Sequence, residues 1–296
     1  MTTTALKPAL STTGTIDFFN GTKDGGEAYV DYAANTNNLN KPLTVAVMAH
    51  DLRYASPRLT WQKDNFELIE RPTDVTAEQF LDKSPKGKDF IEGAYYRDCK
   101  ALVEEVTGCK NVVPFMYQTR HQPYVVKDIF DKRVKNGGLP AVHVDRDPGN
   151  LQYRLKWVFG EDKAERLMQK HKRISIVNIW RPFGANAEVM PLAMIKHNAI
   201  EDLTYESHMR RVYSRNDPTV GTKGYKGHET SAIHDHRYLY YYVSNQTPDE
   251  VLVFNSFDTD VKKVVPHAGL RDSNTRADAP DRRSVEARCW VFYDDE

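Results

Sequence analysis

The stretch VEARCWVFY, residues 285–293, is short, rich in β-branched and aromatic side chains and followed by two aspartates, which reads as a strand. ISIVNIW (174–180), YLYYYV (238–243) and VLVFNSF (251–257) read the same way, each bounded by Pro, Asp or Asn. Upstream, residues 76–107 carry Phe80, Leu81, Phe90, Ile91, Tyr95, Tyr96, Leu102, Val103 and Val106 at three- and four-residue spacings, the pattern of one or two amphipathic helices ending at Gly108. A further helix is expected from about 151 or 161 to 171, closed by the basic run 170–173. Helices early and short strands late predict a mainly β chain with flanking helices, built on a β-sandwich or double-stranded β-helix (jelly roll) core.

Working outward, residues 1–13 are rich in Ser, Thr and Pro and are expected to form a flexible terminus. No repeat or long linker divides the remainder, so 14–296 is read as a single domain. A helix/loop insertion is expected at about 182–232, with a helix over roughly 199–213 and a lid-like loop near Gly221, Gly224 and Gly227.

The 41 basic and 41 acidic residues in a chain of 296 leave no global field to gather polyanions or hold an acidic membrane, which argues against nucleic-acid and membrane partners. Cys99, Cys109 and Cys289 are scattered and form no CxxC pair, which suits a reducing compartment. No run approaches about 18 apolar residues, and no secretory pattern opens the chain, so a cytoplasmic location is expected.

Chemistry concentrates in three places. In AVHVD (141–145), His143 and Asp145 are two apart on a strand-like run, so both side chains leave one face. An imidazole and a carboxylate supply two corners of a 2-His-1-carboxylate triad, which leaves open positions on iron for a chelating cosubstrate and dioxygen. An HxD tripeptide alone is more often a local hydrogen-bonding feature. His267, ending the run VVPH (264–267), is a candidate third ligand. Arg282 and Ser284, again two apart, can converge on one carboxylate through a forked guanidinium pair and a hydroxyl, which suits the distal carboxylate of 2-oxoglutarate. The bland alternative makes Arg282 and Arg283 exposed strand-edge charges. The order HxD, distant His, RxS is more specific than any one part.

Over residues 15–293 the chain resembles the fungal and bacterial non-haem iron hydroxylase/desaturase group that includes gibberellin desaturase-like proteins, AsaB-like proteins and the cephamycin 7α-methoxylation subunit. The segments that carry the likeness are HDLR (50–53), FEL (66–68), YYRDCKALVEEVTG (95–108), HVD (143–145), NIWRP (178–182), PLA (191–193), TPDEVLVFNSFDTD (247–260), PH (266–267) and RRSVEAR (282–288). The resemblance implies an iron(II)- and 2-oxoglutarate-dependent dioxygenase of secondary metabolism that hydroxylates or desaturates a small molecule. It implies metal ligands His143, Asp145 and His267, with 2-oxoglutarate held by Arg282 and Ser284 and assisted by Asn178 and Arg181. Trp180, Arg120 and Tyr240 are the expected substrate-side residues, although Trp180 could equally be core and Arg120 a structural ion pair. The expected partners are a small-molecule substrate and dioxygen, and a homodimer is allowed. The chain departs from the family pattern at His234, Asp235, His236 and the following tyrosines, and at Asn255, where a lysine is common. Two other readings stay open: a non-catalytic partner subunit of a natural-product modifying complex, and a cupin-like metalloenzyme centred on His234 and His236.

Overall fold

The structure is a computed structural model and describes residues 10–121, 139–215 and 227–294. The chain opens in strands: β1 (Ser11–Phe18), β2 (Tyr29–Asp31), β3 (Thr36–Asn37) and β4 (Leu43–Asp51). Residues 11–13, expected in a flexible terminus, belong to β1, and residues 1–9 lie outside the described residues. The β1 run is Ser- and Thr-rich, yet Thr12, Gly14, Ile16 and Phe18 alternate inward, which is strand periodicity concealed by polar composition. After α1 (Trp61–Asp64) and β5 (Phe66–Glu70), the expected helical stretch appears as α2 (Ala77–Leu81), α3 (Pro85–Phe90), a π turn (Ile91–Tyr95) and α4 (Tyr96–Thr107). Thr76 closes a capping box on α2, and Ser84 with Pro85 starts α3. Gly108 ends α4 at φ +72°, a left-handed position that favours glycine.

Next in the chain come β6 (Val112–Arg120), β7 (His143–Val144), α5 (Pro148–Phe159) and α6 (Glu161–Lys170). Two helices stand where the spacing predicts one, because Gly160 at φ +79° breaks the run. The rest is β8 (Ile174–Pro182), β9 (Leu192–Lys196), α7 (Tyr205–His208), β10 (Met209–Arg215), β11 (Gly227–Ala232), β12 (Leu239–Tyr242), β13 (Glu250–Asp258), β14 (His267–Gly269), β15 (Arg271–Asp272) and β16 (Ser284–Phe292). The helix expected over 199–213 is a single turn. Antiparallel pairing of Met209–Ser214 with Gly227–Ala232 overrides the local spacing there. The insertion is thus partly sheet, and the loop expected to act as a lid lies largely outside the described residues.

Two sheets result. The five-stranded sheet runs β5-β13-β8-β16-β6, and the eleven-stranded sheet runs β15-β1-β4-β12-β9-β14-β7-β11-β10-β2-β3. Every residue of central β8 is buried because both of its faces are covered. Val177 and Ile179 of β8, with Val285, Ala287, Cys289 and Val291 of β16, pack against Ile91, Tyr95, Cys99, Leu102, Val103 and Val106 of the helical layer. On the other face Trp180, Leu252 and Phe254 meet Leu192 and Met194 of the larger sheet, with Val265 packed beside them. That sheet also curls back on itself, since Asp17 bridges Ala141 and accepts from the Val142 amide at 2.8 Å. The curl encloses a separate core that includes Ile16, Phe18, Val144, Ile195 and Tyr240.

His197, just beyond β9, is 3% exposed and donates from Nε2 to the Val264 carbonyl, while Nδ1 has no partner among the described residues. Burial lowers its pKa from 6.5 to about 4, against the opposing pull of that carbonyl. A pKa depressed by folding means stability that is complete above about pH 6.5 and is lost as pH falls toward 4. Between pH 7 and pH 5 the metal-free protein should lose about 2 kcal/mol from this group. His197→Phe should be less stable at pH 7 but show a shallower decline in urea midpoint, and an unchanged slope would contradict the assignment.

Candidate metal centre

Strand register makes the first contact of the site. His267, opening β14, lies directly opposite His143, opening β7, and their rings stand 4.4 Å apart between centroids. Each imidazole uses Nδ1 on the carbonyl two residues earlier: His143 on Ala141 at 2.9 Å and His267 on Val265 at 3.1 Å. A carbonyl can only accept, so both rings carry a proton on Nδ1, which leaves Nε2 as the atom a metal would take. Burial, then the neighbouring His143, pushes the His267 pKa down to about 4, so this imidazole is neutral at pH 7 as a ligand must be.

Asp145 supplies the third corner from just past β7. One ligand atom from each of His143, Asp145 and His267 lies within 4.8 Å of the other two, and among the described residues this is the group of three that could hold an ion. Burial alone would raise the Asp145 pKa, but Arg288, His267, His143 and Arg146 together hold it well below the usual carboxylate range. The carboxylate is therefore ionised. Two imidazoles and one carboxylate are the donor set of a facial triad, and they fit a divalent iron. His143 is the most exposed of the three at 21% of its side chain, so the centre opens past that ring.

The remaining expected residues divide. On the inner face of the smaller sheet, Ser284 stands opposite both Arg120 and Pro182, and Arg288 stands opposite Asn178. Arg282 is buried, not the strand-edge charge of the bland reading. Its Nη1 donates to the Met190 carbonyl at 2.6 Å, its guanidinium lies 5.7 Å from the Trp180 ring, and its Nε has no partner among the described residues. Burial and then Arg120 lower its pKa to about 9, which marks a cation short of a counter-charge. Asn178 donates to Asp145 Oδ2 at 2.8 Å.

Two expected residues lie elsewhere. Arg181 projects from the opposite face of β8 toward the helices, where it meets the Pro248 carbonyl at 3.3 Å and the Tyr95 ring at 5.7 Å. Strand alternation puts it there, since its neighbours 178 and 180 face the triad. Tyr240 belongs to the core enclosed by the curled sheet, opposite Ala49 and Ile195, because it is Tyr241 that shares a face with Met194 and His267. His234 packs on Phe18 and His236 is exposed beside Asp235, so the two do not form the cupin-like centre.

Residues that sequence reasoning missed are Glu286 and Arg288. Both share the Ser284 face by the period of two, a signal present in RRSVEAR. Arg288 donates to Asp145 Oδ1 at 3.1 Å and to Glu286 Oε1 from Nε at 3.1 Å and Nη2 at 2.7 Å.

Residues 16–292 match the family model described as an oxidoreductase/YMDC permease-like domain. The chain belongs to this family. Among curated relatives, Oxidoreductase R1 of Phoma sp. is 38% identical over 98% of this chain and 99% of its own. Alpha-ketoglutarate-dependent dioxygenase tstK of Talaromyces stipitatus is 26% identical over 91% of each chain. Among solved structures, the iron and alpha-ketoglutarate-dependent endoperoxidase NvfI superposes with a TM-score of 0.77 at 24% identity, covering 98% of this chain and 100% of that one, and so shares its fold. No helix among the described residues is long and apolar enough to cross a membrane.

The placement of Arg181 separates structure from chemistry. Arg181→Met should lower thermal stability by about 1–3 kcal/mol, because the buried guanidinium no longer bonds the Pro248 carbonyl or faces the Tyr95 ring, while Co(II) affinity stays within about twofold. A large loss of metal affinity in folded protein would return Arg181 to the site.

Proposed function

We propose that this oxidoreductase is an iron(II)- and 2-oxoglutarate-dependent oxygenase that hydroxylates or desaturates a small molecule in secondary metabolism. The observation that carries the reading is the His143–Asp145–His267 convergence, beside a buried, under-compensated Arg282 whose guanidinium lies against Trp180 of the facing sheet. The relative named as an alpha-ketoglutarate-dependent dioxygenase, collinear with this chain over nine-tenths of its length, supports the cosubstrate. We read the two facing sheets as the double-stranded β-helix of such enzymes, formed by a single domain, and the hydroxylase/desaturase group resembled in sequence as the guide to the reaction class.

When bound, iron(II) with 2-oxoglutarate would supply the activation of dioxygen that lets a substrate C–H bond be broken. The chain's own work is placement. Arg282 offers its unpartnered Nε and Ser284 its hydroxyl to the distal carboxylate of the cosubstrate, a charge-assisted pair that also relieves the arginine's burial. Arg120, opposite Ser284, adds positive potential to the same subsite. Trp180, Phe254 and Met194 wall the space between the sheets with apolar surface, which excludes water from the reacting centre. Entry is past His143, the exposed member of the triad.

Purified protein supplied with Fe(II), ascorbate and 2-oxoglutarate should release succinate slowly without substrate and faster with an accepted one. His143→Ala should abolish release. Arg282→Met should raise the 2-oxoglutarate KM on the order of tenfold or more, the equivalent of about 1.4 kcal/mol. Succinate release that survives His143→Ala unchanged would remove the proposal.

A further inference from the structure

Asp145 is held differently from the two histidines. His143 and His267 sit side by side in the larger sheet, but Asp145 crosses to the smaller one: its amide donates to the Ser256 carbonyl at 3.1 Å, and its carboxylate accepts from Asn178 and Arg288. The two donors stand opposite each other in the β8/β16 ladder, so one register fixes both. Each is itself held. Ser256 Oγ donates to Asn178 Oδ1 at 2.7 Å, which orients the amide so that its nitrogen faces Asp145, and Glu286 Oε1 anchors the Arg288 guanidinium by accepting from its Nε and from the Nη2 that also reaches Asp145.

We infer that Asn178 and Arg288 are positioning residues that lock Asp145 into a single orientation, each holding one of its carboxylate oxygens. Oδ2 accepts from the Asn178 amide, while Oδ1, which accepts from Arg288 at 3.1 Å, is the oxygen 4.0 Å from His143 Nε2 and keeps a second lone pair for a metal. A carboxylate free to rotate could offer a metal both oxygens and occupy a position that a chelating cosubstrate needs. Arg288 also bonds Oε1 of Glu286, a second acidic group two residues along the same face, twice. Outer partners of this kind commonly set ligand orientation, and their loss typically costs about 10–100-fold in metal affinity.

This inference rests on the metal-centre reading under Proposed function, and one experiment separates the two. Co(II) is titrated into metal-free protein and followed by its visible absorption, in the wild type, His143→Ala, Asn178→Ala, Arg288→Met and Arg288→Lys, with folding checked by circular dichroism. Wild type should bind one Co(II) and His143→Ala should not; wild type that binds none strikes the centre itself and the inference with it. Arg288→Met and Asn178→Ala should weaken binding about 10–100-fold and change the intensity of the visible bands, because the carboxylate is free to turn. Arg288→Lys, which keeps a cation and one donor, should recover much of the affinity. If Arg288→Met does not fold, Asn178→Ala, which uncovers no charge, carries the test alone. Folded variants with wild-type affinity and an unchanged spectrum would overturn the lock while leaving the centre standing.

Discussion

The site depends on one ladder contact, the pairing of His267 with His143 across β14 and β7. These residues are separated by most of the C-terminal half of the chain, so neither imidazole has a local reason to be near the other. The sheet joins them: β14 is flanked by β7 and β9, and a one-residue slip would turn His267 away and send Ala268 into its place. Register is defended by the apolar core that the curled sheet encloses, where Val142, Val144, Ala193 and Ala268 already occupy the opposite face. The same alternation that buries those small residues projects the two histidines toward the smaller sheet.

This contact also sets the electrostatics. Several charged groups crowd the inner face, and each tolerates burial only through a named neighbour: Asp145 through Arg288 and Asn178, Arg288 through Glu286. Arg282 bonds the Met190 carbonyl while its Nε has no partner among the described residues, which makes its guanidinium a natural receptor for an anionic group. The charge pattern of the centre is therefore part of how the fold satisfies its buried polar groups, and the chemistry proposed for it uses a cation that the pattern leaves under-compensated.

Much of the site is legible in the sequence. HVD, PH and RxS name the triad and the buried arginine because period-two spacing fixes faces without knowledge of the partners. The late strands are legible for the same reason, through their β-branched and aromatic content. The early strands are not: β1 disguises its alternation with Thr, Ser and Gly, and only the larger sheet reveals which of them point inward. Arg181 and Tyr240 sit one position out of phase along strands whose extents the sequence places well; nearness to a motif suggests a role for them that parity denies. Parity places Arg288, two steps beyond Glu286 and four beyond Ser284, on the triad's face, but its role needs the Asn178 register across the ladder to be seen.

The central claim, that the HVD pair and the distant His267 share one metal ion, is tested most directly by anomalous diffraction from a crystal soaked in Co(II). The account predicts one strong peak within bonding distance, about 2.0–2.2 Å, of Nε2 of His143, Nε2 of His267 and one oxygen of Asp145. A peak bound elsewhere, or one that touches the HVD pair but not His267, would contradict it.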